Sequence, residues 1–168
     1  MPKGLKSTSS VVSIGAQVNE SAPNTFTQAQ VDLNLDPLNN EVFVVLACNL
    51  DASFPEAIAG TPTIVAAQVT TTSQTGMVSI ANTNCLGKLA QQIQTDAVIG
   101  CGFQSQALET PPSTLEYIGI IATNDFFLGM EGVNNTAAKT ASVKLYGYRA
   151  RADASVYAAL VQSEVLSA

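Results

Sequence analysis

The chain has 168 residues, enough at about 150 residues per domain for one domain that buries a core without help from disulfides or metal. Charged residues are only 12% of the chain, 7 bases against 13 acids for a net charge of −6, while Ser, Thr, Asn and Gln fill 52 positions, so the surface has to be polar without being ionic. With no His and no Trp, histidine acid–base catalysis, Ser-His and Cys-His nucleophiles and nearly all zinc sites are excluded.

Residues 1–24, rich in Ser, Asn, Pro and small side chains with one short alternation from Val12 to Ile14, read as an arm or edge strand. From Phe26 to Leu35, apolar Ala29, Val31, Leu33 and Leu35 alternate with Gln28, Gln30, Asp32 and Asn34, the pattern of a half-buried strand. Asp36-Pro37-Leu38-Asn39-Asn40 is a turn, because proline fixes φ and asparagine tolerates left-handed backbone. Glu41 to Leu50 is apolar on both faces, with Val42, Val44, Leu46 and Cys48 on one and Phe43, Val45 and Ala47 on the other. Such a strand is central and covered on both sides.

Thr63 to Thr72 reads as a further strand and Met77 to Ile80 as a short one. Leu86, Leu89, Ala90 and Ile93 fall at helical spacing and predict a helix of two to three turns, with Thr83 or Asn84 as its N-cap. Val98 to Gln106 returns to alternation, with Ile99, Cys101 and Phe103 inward. After a loop at Pro111-Pro112, Tyr117–Ala122, Phe126–Glu131 and Thr140–Ala150 read as strands. In the last, Ala141, Val143, Leu145 and Gly147 oppose Ser142, Lys144, Tyr146 and Tyr148. Val156 to Leu166 fits either a helix capped by Asp153 or a terminal strand. The expected fold is all-β, an antiparallel β-sandwich of the jelly-roll type with one short helix and an N-terminal arm. Its expected division is an arm or edge strand at 1–24, the sandwich at 25–152 and a tail at 153–168.

The charges are unevenly placed. After Lys6 the next base is Lys88, and the interval carries Glu20, Asp32, Asp36, Glu41, Asp51 and Glu56. Lys88, Lys139, Lys144, Arg149 and Arg151 are too few for a phosphate footprint, so direct nucleic-acid contact is not expected. Cys48, Cys85 and Cys101 show no C-x-x-C spacing; Cys48 and Cys101 read as small buried hydrophobes, and the expectation is three free thiols, with one disulfide as the alternative. MPKGLKSTSS lacks the apolar segment of a signal peptide, and no run reaches the length of a membrane span, so neither is expected. The N-x-S/T matches at Asn19 and Asn134 read as accidental.

No motif names a reaction. Asp32 to Asp36 matches the start of a calcium loop, but Pro37 stands where that loop needs Gly and Phe43 where it needs a bidentate Glu. Glu116 and Asp125 are the acids best placed for carboxylate catalysis, yet only 6% of residues are aromatic, too few to stack a sugar. Gly100-Cys101-Gly102 lies inside a strand pattern and is no phosphate loop. No catalytic residue, cofactor or metal site is therefore expected. Phe126 and Phe127 put adjacent rings on opposite faces of one strand, and Tyr146 and Tyr148 lie on a polar face beside Lys144. These four are the candidates for a subunit interface, the alternative being that a loop or helix covers them.

A small-residue arm, then TFTQAQVDLNLDPLNNEVFVVLA, a threonine-rich strand and short helix, NDFFLGMEGVNN and the closing ASVKLYGYRARAD together resemble the small single-jelly-roll capsid proteins of tailless viruses, and more loosely other phage virion proteins, over roughly residues 20–152. The resemblance implies a shell subunit, made in the host cytoplasm and located in the virion, that packs against copies of itself or a sister jelly roll and exchanges arms and loops with its neighbours. It departs from many RNA-virus coats in having only Lys3 and Lys6 on the arm, which fits a shell separated from the genome by an internal membrane or another protein layer. Low charge also suits self-association, since hydroxyls and amides cross an interface without the desolvation cost of ions. Two other readings stand beside it: a receptor- or glycan-binding module such as a phage spike or appendage head, and an enzyme working through carboxylates alone.

Overall fold

The computed structural model describes residues 3–95 and 115–166 and the backbone of residues 100–106. Within these the chain forms β1 (Leu5–Ser7), β2 (Val12–Asn19), β3 (Thr27–Asp32), β4 (Glu41–Ala52), β5 (Thr63–Thr70), β6 (Cys85–Thr95), β7 (Gly100–Gln106), β8 (Gly119–Ile121), β9 (Asp125–Val133), β10 (Thr140–Ala152) and one helix, α1 (Ala154–Leu166). The Pro111-Pro112 loop and the inward directions of Ile99, Cys101 and Phe103 lie outside the described residues.

The pairing has a simple logic. β2 pairs with β10, β3 with β9, β4 with β8 and β5 with β6, all antiparallel, so the first half of the chain bonds the second in reverse order, like one long hairpin. β10 also pairs with β4, and β9 with β5, which rolls the ribbon into two layers. One sheet runs β2-β10-β4-β8, with β1 bonded further along β10; the other runs β3-β9-β5-β6-β7. This strand order is that of a jelly roll, the fold class that composition and patterning predict.

The core lies between the layers. Phe43, Val45, Cys48 and Leu50 of β4 meet Val65, Ala67 and Val69 of β5 and Phe126, Leu128 and Met130 of β9. A second apolar layer lies on the other side of β4, where Val42, Val44, Ala150 and Ala152 pack under Val156, Tyr157, Leu160 and Val161 of α1. β4 is thus covered on both faces, as expected, but its two sides are not those that strict alternation assigns. Tyr146 of β10 pairs with Ala47 and Gly147 with Val45, so Leu46 is the extra residue of a β-bulge. The bulge exchanges the faces, and Cys48 joins Phe43 and Val45 in the core.

Two other expectations are corrected. Leu86 to Ile93 is not a helix but most of β6, bonded to β5 from Thr63↔Ile93 to Thr70↔Cys85. Its buried positions are Gly87, Leu89, Gln91 and Ile93, and a glycine and a glutamine among the inward residues hide the period of two from a hydrophobicity pattern. The helix of this fold is instead α1, begun by the Asp153 carbonyl accepting from the Tyr157 amide at 2.8 Å. Met77 to Ile80 is not a strand either. Its backbone is bonded by side chains of the sheet below: the Gln68 Oε1 accepts from the Val78 amide at 2.7 Å, its Nε2 donates to the Gly76 carbonyl at 3.0 Å, and Lys88 Nζ donates to the Val78 carbonyl at 2.6 Å. Gln28 holds the same loop from β3, accepting from the Gln74 amide and donating to Ser73 Oγ. The register places Gln28, Gly129, Gln68 and Lys88 in one row across four strands, so residues 73–78 lie strapped to the outer face of that sheet.

Candidate subunit interface

The structure does not gather the four candidate aromatics into one surface. Phe126 is 0% exposed and belongs to the core, so it takes no part in an outer surface; Phe127, next along β9, is the ring that turns outward and is half-buried. Tyr146 and Tyr148 lie on the opposite side of the molecule, on the outer face of the β2-β10-β4 layer. Tyr148 packs with the α1 cluster, and burial, then the nearby Glu116 carboxylate, pushes its phenol up from the ordinary value. Here the covering helix of the alternative reading is what the structure contains. Tyr146 lies beyond the bulge, half-buried, with Lys144 Nζ 5.9 Å from its ring centroid.

Elsewhere the polar chemistry is turned inward on the chain itself. Glu20 is 5% exposed, and its two oxygens accept from the Gly132 amide at 2.6 Å and the Lys139 amide at 2.8 Å. Buried Asn135 donates to the Ile64 carbonyl and accepts from the Glu56 amide, while its own backbone is bonded at both N–H and C=O by Asn24. Glu56 accepts from the Thr136 hydroxyl and amide, the Ala137 amide and Lys139 Nζ, the last at 2.9 Å. These bonds, the Thr136 hydroxyl foremost and Lys139 next, hold the Glu56 carboxyl down to about 2. Three loops, 20–26, 53–62 and 134–139, are thereby fastened together at one end of the sandwich.

At the other end Glu164 of α1, 7% exposed, accepts from the amides of Ala122 and Thr123 at 3.0 and 2.9 Å, tying the helix to the β8–β9 connection. Burial pushes its carboxyl up from the ordinary value. Arg149 donates to the carbonyls of Leu33 and Asn34 and pairs with Glu41 at 3.3 Å, and Arg151 donates to Asn39. Four of the five bases after Lys6 are therefore committed to internal partners, Lys144 being the exception among the described residues.

The acids single out no reaction. Asp36 caps the 3-10 turn Pro37–Asn39, accepting from the Leu38 amide at 3.0 Å, and its bond with the Asn39 side chain holds its carboxyl below the usual range. Asp125 accepts from Gln30 across the β3–β9 pair. Among the described residues no three His, Cys, Asp or Glu side chains cluster as metal ligands, and no helix is long and apolar enough to cross a membrane. Of several hollows on the described surface, two bear on a contact between molecules. One of about 330 Å³ lies between the 3-10 turn and α1, lined by Leu35, Pro37, Tyr157 and Val161, with Leu38 94% exposed beside it. The other, about 480 Å³, lies on the outer face of the β2-β10-β4 layer, bounded by Gly15, Asn49, Asp51, Ser142 and Lys144. Sequence reading missed Glu20, Gln68, Asn135 and Glu164, because a lone polar residue in an apolar or loop stretch does not announce that it is buried.

No protein-family model and no curated sequence matches the chain. Solved structures similar to it include the human polyomavirus 6 VP1 pentamer, at 8% identity and a TM-score of 0.41 over 88% of this chain and 97% of that one. A structure of turnip yellow mosaic virus matches at 13% identity and a TM-score of 0.30, covering 85% and 93%. One of Desmodium yellow mottle tymovirus matches at 13% identity and a TM-score of 0.26, covering 91% and 93%. All three come from viruses.

Proposed function

We propose that this chain is a structural subunit of a virus shell, assembled from copies of itself and without catalytic activity. The observation that carries the reading is a jelly roll whose buried carboxylates bond its own backbone and four of whose five bases after Lys6 are committed to internal partners, leaving outer surfaces rich in amides, hydroxyls and small side chains. A polar surface with so little charge gives weak mutual repulsion between copies and little ion desolvation on contact. The sequence resemblance over roughly residues 20–152 supplies the viral context. The same commitment of bases leaves few cations for phosphate, so we place the genome behind a further layer, a sister protein or a membrane, rather than against this subunit.

Size-exclusion chromatography with light scattering, followed by negative-stain imaging, tests the reading. Closed particles or discrete multimers that grow with protein concentration are expected. A monomer at every salt and protein concentration would reject the shell role, and glycan-array binding by that monomer would favour a spike or appendage head instead.

A further inference from the structure

We propose that the half of the outer β2-β10-β4 face left uncovered by α1 is where two copies of this chain meet about a two-fold axis, Lys144 of each set against Asp51 of the other. The inference rests on the shell reading and names a contact that reading leaves open.

On this face Lys144 stands opposite Asn49, and Ser142 opposite Asp51. Lys144 and Asp51 are therefore diagonal neighbours on adjacent strands, about 7–8 Å apart. Both are exposed, and neither pairs with the other or with any other described charge. Lys144 turns instead toward the Tyr146 ring. The described side chains around them, Ser13, Gly15 and Gln17 of β2, Ala47 and Asn49 of β4 and Ser142 of β10, are uncharged and mostly short. The hollow of about 480 Å³ among Gly15, Ser142, Asn49 and the two charges gives opposing side chains room to seat.

One cation and one anion in an uncharged field form a self-complementary pattern. A two-fold axis in the plane of the contact, running midway between the two side chains, exchanges their positions. Each ammonium then meets the other copy's carboxylate, and the pairing occurs twice. A phosphate surface would gain Lys144 but be repelled by Asp51. A second copy satisfies both charges at once.

The test is a charge exchange. Lys144→Asp or Asp51→Lys alone puts like charges face to face at both ends of the contact, and each variant should associate about 100-fold more weakly than the unaltered chain. The double variant should regain association. Mixing the two single variants should give mixed pairs, detected by native mass spectrometry, since both contacts are then attractive. Because both positions are exposed, the thermal melts of all variants should match that of the unaltered chain, which separates loss of contact from loss of fold. Single variants that assemble normally, or a mixture that fails to rescue them, would overturn this contact and leave the shell reading in place. An unaltered chain that never associates would overturn the shell reading itself, and this contact with it.

Discussion

Gly147 stands opposite the β4 bulge with its face toward the core. A Cβ added there would meet the Val44 carbonyl oxygen and come within 2.5 Å of the Phe43 ring. The oxygen is backbone and the ring is packed, so neither can yield cheaply. Gly147→Ala should cost about 2–3 kcal/mol of stability, read as a lowered urea midpoint; an unchanged midpoint would mean that the bulge relaxes. Glu56 makes a pH prediction with a definite sign. Its folded value of about 2 lies below the ordinary 4.5, so the stabilisation it brings is present above pH 4.5 and is lost as pH falls through about 2. The Thr136 and Ala137 amides should lose hydrogen-exchange protection across that window, and Glu56→Gln should abolish the dependence.

α1 behaves in the opposite sense. Glu164 has its carboxyl raised by burial, with Asp125 adding to the rise against the amide bonds of Ala122 and Thr123. The folded state holds the proton more tightly, so docking gains stability as pH falls through the raised value, is strongest below 4.5 and weakens as pH rises. Relative to Glu164→Gln, the melting temperature of the unaltered chain should climb as pH falls from 7 to 4.5; a parallel response of the two would reject the assignment. The elements also show what a linear reading can reach. The strands β3, β9 and β10 were legible, because one-sided burial writes a period of two into the side chains, and the covering of β4 on both sides was legible from its nearly continuous apolar run, although not which residue lies on which side. β6 was not, because Gln91 and Gly87 occupy inward positions while Leu86, the extra residue of a bulge opposite Val69 and Thr70, also packs on the core and Ala90 lies on the other face, which imitates helical spacing. The bulge at Leu46 was invisible for a different reason. It is a property of two strands in register, and β10 lies about a hundred residues further on. Residues 77–80 look like a strand because their side chains suit one, yet Gln68 and Lys88 bond their backbone before any ladder can form.

At the scale of the molecule the sandwich class was legible from composition and the spacing of turns, whereas the strand order is a long-range fact that local pattern does not hold. Of the candidate surface, the sequence pointed to Tyr146 beside Lys144, but the matching acid, Asp51, could join them only once β4 was laid against β10. The same pairing governs folding. Most contacts join residues far apart in the chain, so refolding should take milliseconds to seconds, measurable by stopped-flow circular dichroism; microsecond relaxation would contradict the nested pairing.

β10 is also the strand that joins β1, β2 and β4 into one layer. While the protein is being translated, β1 and β2 stay unjoined to β4 until residue 152 has cleared the ribosome. A chain released early, at residue 139 for instance, would leave β2 and β4 with no common neighbour and should emerge insoluble rather than as a smaller domain. Completion of the chain is thereby a condition of its fold: a fragment cannot pass for a smaller version of the whole.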